Sequence, residues 1–135
     1  HDNTVVALLQ ATSPLSTFTD FKKAYDKFCL SDATLLMGVT EADNKILKYG
    51  VLSDDQFIPI SESDYCFSNR ESLPKVVRPN GAIYLFELGN FRRNKTFDTQ
   101  KIIPYEMSVH HSIDIDTVED LEFVREQLNS DRGVA

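Results

Sequence analysis

Short apolar runs alternate with polar, turn-forming segments along the chain. TVVALLQ (4–10) is almost continuously apolar, mixes Val with Leu and runs straight into a polar cluster. That pattern predicts a strand buried on both faces, as in a parallel sheet. ATSPLST (11–17) predicts a loop, because Pro14 lacks an N–H and biases Ser13 away from helix. Phe18, Phe21, Ala24, Tyr25 and Phe28 then recur at helical spacing, with Asp20, Lys22, Lys23, Asp26 and Lys27 between them. This is the signature of an amphipathic helix, which Thr17 or Thr19 would cap. ATLLMGVT (33–40) repeats the buried-strand pattern, so the order strand, helix, strand implies a right-handed βαβ unit.

The middle of the chain has a different character. KILKYGVL (45–52) and FIPI (57–60), with SDD between them, predict a hairpin or an excursion from the sheet. Residues 60–72 are polar and turn-rich. A strand returns at NGAIYLFE (80–87), followed by the basic, aromatic connector FRRNKTFD (91–98). KIIPYEM (101–107) reads as a strand near a sheet edge, since Pro104 cannot donate to a ladder. SIDID (112–116) reads as a short strand and TVEDLEFVREQL (117–128) as the last helix. Thr117 would cap that helix with Asp120 three residues on, and Val118, Leu121, Val124 and Leu128 would form its apolar face. SDRGVA (130–135) is expected to fray.

The fold class these elements predict is α/β. At 135 residues the chain is long enough for one domain with a substantial core. Its 14 Lys and Arg against 21 Asp and Glu give a net charge of −7, which argues against nucleic-acid backbone binding as the main task. No apolar run approaches the roughly 20 residues of a membrane span. Cys29 and Cys66 are too few for a disulfide framework and lie in no CxxC, so both are expected as reduced thiols in a cytoplasmic protein.

Three stretches carry candidate chemistry. On a strand, Ile113 and Ile115 would face the core while Asp114 and Asp116 point together the other way, about 6.6 Å apart along the axis. Both carboxylates could lean on one cation, with water and substrate phosphate completing the six oxygens that Mg²⁺ prefers. The same spacing also fits a half-exposed strand with a solvated acidic face. In the second stretch, Arg70 precedes Arg78-Pro79-Asn80-Gly81-Ala82-Ile83-Tyr84. Gly81-Ala82 permits close approach of a ligand or a second backbone, and Arg78, Asn80 and Tyr84 could share a face. An arginine fork suits carboxylate or phosphate, and Asn suits sugar hydroxyls, although solvent-facing strand positions would read the same way. The third, Leu8-Leu9-Gln10-Ala11-Thr12-Ser13-Pro14-Leu15, lies at the carboxyl end of a strand, where open α/β sheets bind ligands; an ordinary connecting loop has the same composition. His110 and His111, as neighbours on a strand, would face opposite ways and share a metal poorly.

Taken together the three blocks resemble the acylneuraminate cytidylyltransferases. LLQATSPL resembles that family's LLQPTSPL, with Ala11 in place of the usual Pro; RESLPKVVRPNGAIY resembles its R-x-x-L-P … R-x-NGAIY stretch; SIDIDTVEDL resembles its SIDIDT-x-x-DL. Order and spacing agree over most of residues 4–128.

The resemblance implies a Rossmann-like nucleotidyltransferase fold, a partial three-layer αβα sheet. It implies transfer of CMP from CTP to the anomeric hydroxyl of an acidic nine-carbon sugar, with release of pyrophosphate. Asp114 and Asp116 would hold Mg²⁺, and one of them would help deprotonate the attacking hydroxyl. Arg70 would face the sugar or its carboxylate. Gln10, Asn80 and Tyr84 would line the pocket, with Arg78 in the same motif and Phe97 as an aromatic wall to the acyl group. Lys48, with Lys45 as competitor, would be the sugar-contacting lysine on an extension around 45–72 exchanged between subunits of a homodimer or higher oligomer. A sibling enzyme for legionaminic, pseudaminic or Kdo-type sugars fits the same motifs, as does a non-catalytic fragment. The family opens with a Gly-rich basic loop that cradles the triphosphate. The five Gly of this chain are unclustered, so the chain is expected to be incomplete at its amino terminus, with another segment supplying that loop.

Overall fold

Apolar side chains from four segments meet between one helix and one face of a mixed sheet, in a computed structural model that describes residues 2–133. The strands are β1 (Val5–Leu9), β2 (Leu35–Ala42), β3 (Gly50–Ser53), β4 (Gln56–Pro59), β5 (Val76–Glu87) and β6 (Ile102–Glu106). The helices are α1 (Phe18–Cys29), α2 (Leu88–Asn94) and α3 (Val118–Gly133). The chain divides into two compact units, one running to Thr40 and resuming at Pro79, the other Glu41–Arg78.

In the first unit the sheet order is β1-β5-β2-β6. β1 pairs antiparallel with β5, Leu8 opposite Tyr84 and Leu9 opposite Ile83. β2 pairs parallel with β6, Leu35 opposite Ile102. The mixed sheet and its helices are those of a Rossmann-like α/β fold. β5 therefore separates the two strands that α1 connects. The core gathers Ala24 and Phe28 of α1, Leu36 of β2, Ala82, Ile83 and Leu85 of β5, and Met107 just beyond β6. Leu36, Ile83 and Leu85 are fully buried, each a stabilisation of about 1.5–3 kcal/mol. β6 lies at the sheet edge, where Pro104 needs no ladder partner on its outer side.

Several expectations change. β1 is an edge strand, and Ala7, Leu8 and Leu9 are exposed rather than buried on both faces. Its apolar run signals strand but not what covers the strand. Residues 112–116 form no strand. His110–Ser112 make a single 3-10 turn, and an irregular segment leads from it to α3. His110 and His111 thus sit on a turn instead of alternating along a strand. The connector after β5 begins with α2, which Lys95 closes in the left-handed region at φ 57°. No periodicity announces α2. Tertiary packing of Phe91 on Phe86, ring centroids 5.2 Å apart, holds it. Of the apolar stripe expected on α3 only Val124 is buried, and Val118 and Leu128 are exposed. On α1, Phe18 and Tyr25 are likewise exposed. The helix α3 continues through Ser130–Gly133, where fraying is expected; residues 134 and 135 of that tail lie outside the described residues.

In the second unit β3 and β4 form a hairpin, Ser53 opposite Gln56. Its turn residues Asp54 and Asp55 both take positive φ, 47° and 62°. Two such residues give the strands a twist-matched two-residue turn, and Asp tolerates that region better than most. Short 3-10 turns at Asn44–Lys48, Ser63–Phe67 and Arg70–Ser72 make up the rest.

Gly38 of β2 shows how tightly the first unit is built. A Cβ there would stand 2.7 Å from Asn80 Oδ1, 3.3 Å from Met107 Sδ and 3.4 Å from the Ile83 backbone nitrogen. Gly38→Ala is expected to cost about 1–3 kcal/mol of unfolding free energy by overpacking. Chemical denaturation checks this, and an unchanged midpoint would mean that the Asn80 side chain yields freely.

Candidate functional site

Parts of the three stretches, around Gln10, around Asn80 and around Ser112, converge within the first unit, whereas Arg70 and Arg78 belong to the second. Gln10 leaves β1 with its backbone N–H donating to the Ala82 carbonyl at 3.3 Å. Its side chain lies against Gly81, where a Cβ would be 3.0 Å from Gln10 Oε1. Gly81 has φ +73°, a conformation that a side chain would strain, so the absence of a Cβ here serves both backbone and neighbour. From β5 the Asn80 side chain reaches across to the third stretch. Its Nδ2 donates to Ser112 Oγ at 3.0 Å and lies 3.2 Å from Met107 Sδ, while its Oδ1 accepts the Ala82 N–H at 3.1 Å. Ser112 Oγ in turn donates to the Ser108 carbonyl at 2.7 Å. The loop after β1 makes the remaining link, the Ile115 N–H donating to the Thr12 carbonyl at 2.9 Å.

The acidic pair sits between these anchors. Asp114 is half-buried, and its Oδ1 is fully enclosed with no hydrogen-bond donor. Asp116 is exposed, and its backbone N–H donates to Asp120 Oδ2 at 3.1 Å. Asp120 also accepts from the Thr117 N–H and hydroxyl, closing the cap expected for α3. Hydrogen bonds from the Thr117 side chain and from the Asp116 and Thr117 backbone hold its carboxyl below the usual carboxylate range. A buried carboxylate oxygen without a donor is costly unless something positive or protic meets it. No cluster of three metal-binding side chains occurs among the described residues.

The other candidates divide by unit. Tyr84, half-buried on β5, stacks on Phe97 with centroids 5.6 Å apart and planes 12° apart. Phe97 also packs edge-on against Phe86, so its ring is held on two sides. Arg78 is exposed while Asn80 is buried, so the two do not share a solvent-facing surface. In the second unit, Arg70 is paired with Asp43 at 3.4 Å and lines a cavity of about 340 Å³ with Glu41, Asn44, Leu73, Lys75 and Val76. Asn44 donates to the Arg70 carbonyl at 3.2 Å, and its Oδ1 is buried without a donor. Lys48 is half-buried and its carbonyl accepts from Cys66 Sγ at 3.5 Å; Lys45 is exposed. Cys29 and Cys66 are free thiols.

Sequence reasoning missed Asn44, Asp20 and Tyr105. Asp20 forms a capping box with Thr17 and also meets Tyr105 and His111 on other elements. The Thr-x-x-Asp spacing marks the box, but no local signal marks the distant partners. Burial pushes the Asp20 carboxyl up, yet hydrogen bonds from the Thr17 backbone and side chain and from Tyr105, with charge attraction to His111, outweigh it and hold the group below its ordinary value of 3.8. Burial and the Asp20 carboxylate push the Tyr105 hydroxyl up to about 12.

With this geometry in view, the relatives are informative. No family model matches the chain. The curated relatives are named cytidylyltransferases, a class of nucleotidyltransferases. Over 134 residues, 98% of this chain, the sequence is 29% identical to proteins named N-acylneuraminate cytidylyltransferase from Streptococcus agalactiae serotypes V and III. Over 129 residues, 89% of this chain, it is 27% identical to a pseudaminic acid cytidylyltransferase of Campylobacter jejuni. The resemblance read from the three motifs is thus borne out along nearly the whole chain. The matches cover 32% of the streptococcal proteins and 52% of the Campylobacter protein, so the chain spans about a third to about half of these relatives' length. No helix among the described residues is long and apolar enough to cross a membrane.

The depressed Asp20 carboxyl has a pH consequence. The unfolded chain takes up the proton first as pH falls, so the stabilisation is fully present above the ordinary carboxylate value of 3.8 and is lost as pH falls through the lower folded-state value. Asp20→Asn is expected to destabilise the chain at pH 7, with the gap to the parent narrowing below about pH 4. Denaturant titrations at both pH values check this; a gap of constant size would contradict it.

Proposed function

We propose that this chain carries the sugar- and cation-facing residues of a cytidylyltransferase that moves CMP from CTP to the anomeric hydroxyl of an acidic nine-carbon sugar, releasing pyrophosphate. The observation that carries the reading is that Asn80 holds Ser112 and Thr12 holds Ile115 on either side of Asp114, whose enclosed Oδ1 lacks a donor. Asp114 and Asp116 fit a hard divalent cation, since carboxylate oxygens are its preferred ligands. Mg²⁺ held there would neutralise triphosphate charge as the α-phosphorus is attacked. One carboxylate of the pair takes the proton of the attacking hydroxyl. Asn80, with its donors and acceptor committed to protein partners, serves the pocket by holding Ser112 in place. Gln10 presents its amide from the end of β1. Tyr84 and Phe97 supply a stacked aromatic wall to the sugar's acyl substituent.

On the second unit the Arg70 cavity suits the sugar's carboxylate, with the Asn44 Oδ1 as an acceptor for a hydroxyl or amide N–H. Lys48 and Arg78, in the same unit as Arg70, are further cationic candidates for an acidic sugar. The hairpin leaves Leu52 78% and Phe57 60% exposed, and Phe67 beside it is 91% exposed. Apolar exposure on that scale supports burial of Glu41–Arg78 against a second copy in a homodimer. Free thiols support a reducing, cytoplasmic setting. The pseudaminic acid relatives favour a second reading of the same chemistry on a sibling sugar.

The test is pyrophosphate release by the purified chain from CTP with divalent cation and either N-acetylneuraminate or pseudaminic acid. Turnover that occurs with one sugar, is abolished by chelation and falls on the order of 100-fold or more in Asp116→Ala supports the reading. A folded chain that releases no pyrophosphate with any acidic sugar would identify it as a binding or oligomerisation module instead.

A further inference from the structure

α1 and α3 begin with the same device, a Thr whose hydroxyl caps the helix and an Asp three residues on that answers it. At α3 the Asp, Asp120, accepts hydrogen bonds from Thr117 and the adjacent Asp116 backbone, and those suffice to start the helix. At α1 the Asp is buried, 8% exposed, and capping accounts for only part of its surroundings. Asp20 Oδ2 accepts from the Thr17 N–H at 3.0 Å and the Thr17 hydroxyl at 2.9 Å. Oδ1 accepts from the Tyr105 hydroxyl of β6 at 3.0 Å, and His111 Nδ1 stands 2.9 Å from Oδ2. Withdrawing a carboxylate from water is costly, and a cap does not require it. What the burial achieves is to join α1, β6 and the turn at His110–Ser112.

That turn leads directly into the acidic pair. Next to His111, Ser112 is held by Asn80 and by the Ser108 carbonyl, and Asp114 follows two residues later. Beyond it the Ile115 N–H is fixed to Thr12. We infer that Asp20, acting through His111, is a positioning residue for Asp114 and Asp116, setting the turn from which both carboxylates are presented to a divalent cation. The inference rests on the proposed cation-binding role of that pair. Groups that orient ligands from behind typically change metal affinity by roughly 10–100-fold. Asp20→Asn keeps the shape but removes the negative charge and exchanges one acceptor oxygen for a donor, so it replaces the carboxylate only in part.

The experiment is Mn²⁺ binding to the full chain, followed by electron paramagnetic resonance, in the parent, Asp20→Asn, His111→Gln, His111→Ala and Phe28→Leu. Phe28 is a buried core residue of α1 outside the network, and its variant controls for loss of stability. Asp20→Asn and His111→Ala are expected to weaken Mn²⁺ binding roughly tenfold or more. His111→Gln, which can still donate a hydrogen bond, should retain more affinity than His111→Ala, and Phe28→Leu should bind as the parent does. Amide hydrogen exchange at Ile115 should quicken in Asp20→Asn. Unchanged Mn²⁺ affinity in Asp20→Asn and His111→Ala, or an equal loss in Phe28→Leu, overturns the positioning role while leaving the cation site intact. A parent chain that binds no Mn²⁺ overturns the cation site itself, and the positioning role with it. His111 has a partly exposed side chain, so its variants keep the test decisive if Asp20→Asn does not fold.

Discussion

One buried amide holds the candidate site together. The Asn80 side chain, 4% exposed, is the point where β5, the end of β6 and the turn before Asp114 are tied to one another. Leaving any of these partners unsatisfied in a buried setting costs about 1–3 kcal/mol, so the amide has essentially one arrangement. Gly38 makes room for it from β2, and Gly81 next to it lets Gln10 close over the strand. Small residues around a committed polar group are what allow three distant stretches to approach so closely. A larger side chain at either glycine would separate them.

A second polar centre, Asp20, does for α1 and the His111 turn what Asn80 does for β5. Both are buried polar groups in an otherwise apolar core, and both meet partners from several elements. Polar networks of this kind are stable only when their members are satisfied, and they then specify one geometry. Beside this framework three side-chain oxygens of the same unit, Ser13 Oγ, Thr40 Oγ1 and Asp114 Oδ1, lie enclosed with no hydrogen-bond partner, and Asp114 is the carboxylate among them.

Much of this was legible in the order of residues. The periodicity from Phe18 to Phe28 marked α1, the strand expected at 80–87 falls within β5, and Pro104 placed β6 at an edge. The Thr117 and Asp120 spacing marked the start of α3. The hairpin with Asp54 and Asp55 at its turn was visible from short apolar runs around a polar pair. The site motifs were visible too, as residue types suited to a cation, an anion and a sugar. Less legible were the exposure of β1, the helix α2 and the irregular path of 112–116. Each depends on what packs alongside, and a short window carries no record of that.

The sequence by itself determined the local conformations with strong periodicity or capping, and it named the groups able to do chemistry, because those properties reside in neighbouring residues. Only the tertiary structure decided that Asn80 faces inward to Ser112 instead of outward beside Arg78. It alone decided that Asp20 serves His111 and Tyr105 as well as its own helix, and that Asp114 is enclosed while Asp116 is not. Those choices are made by burial and by partners 30 to 90 positions away, such as Asn80 with Ser112 and Asp20 with Tyr105, 32 and 85 residues apart. Hydrogen-bond satisfaction in a packed interior is a property of the whole core, so no segment could have announced it alone.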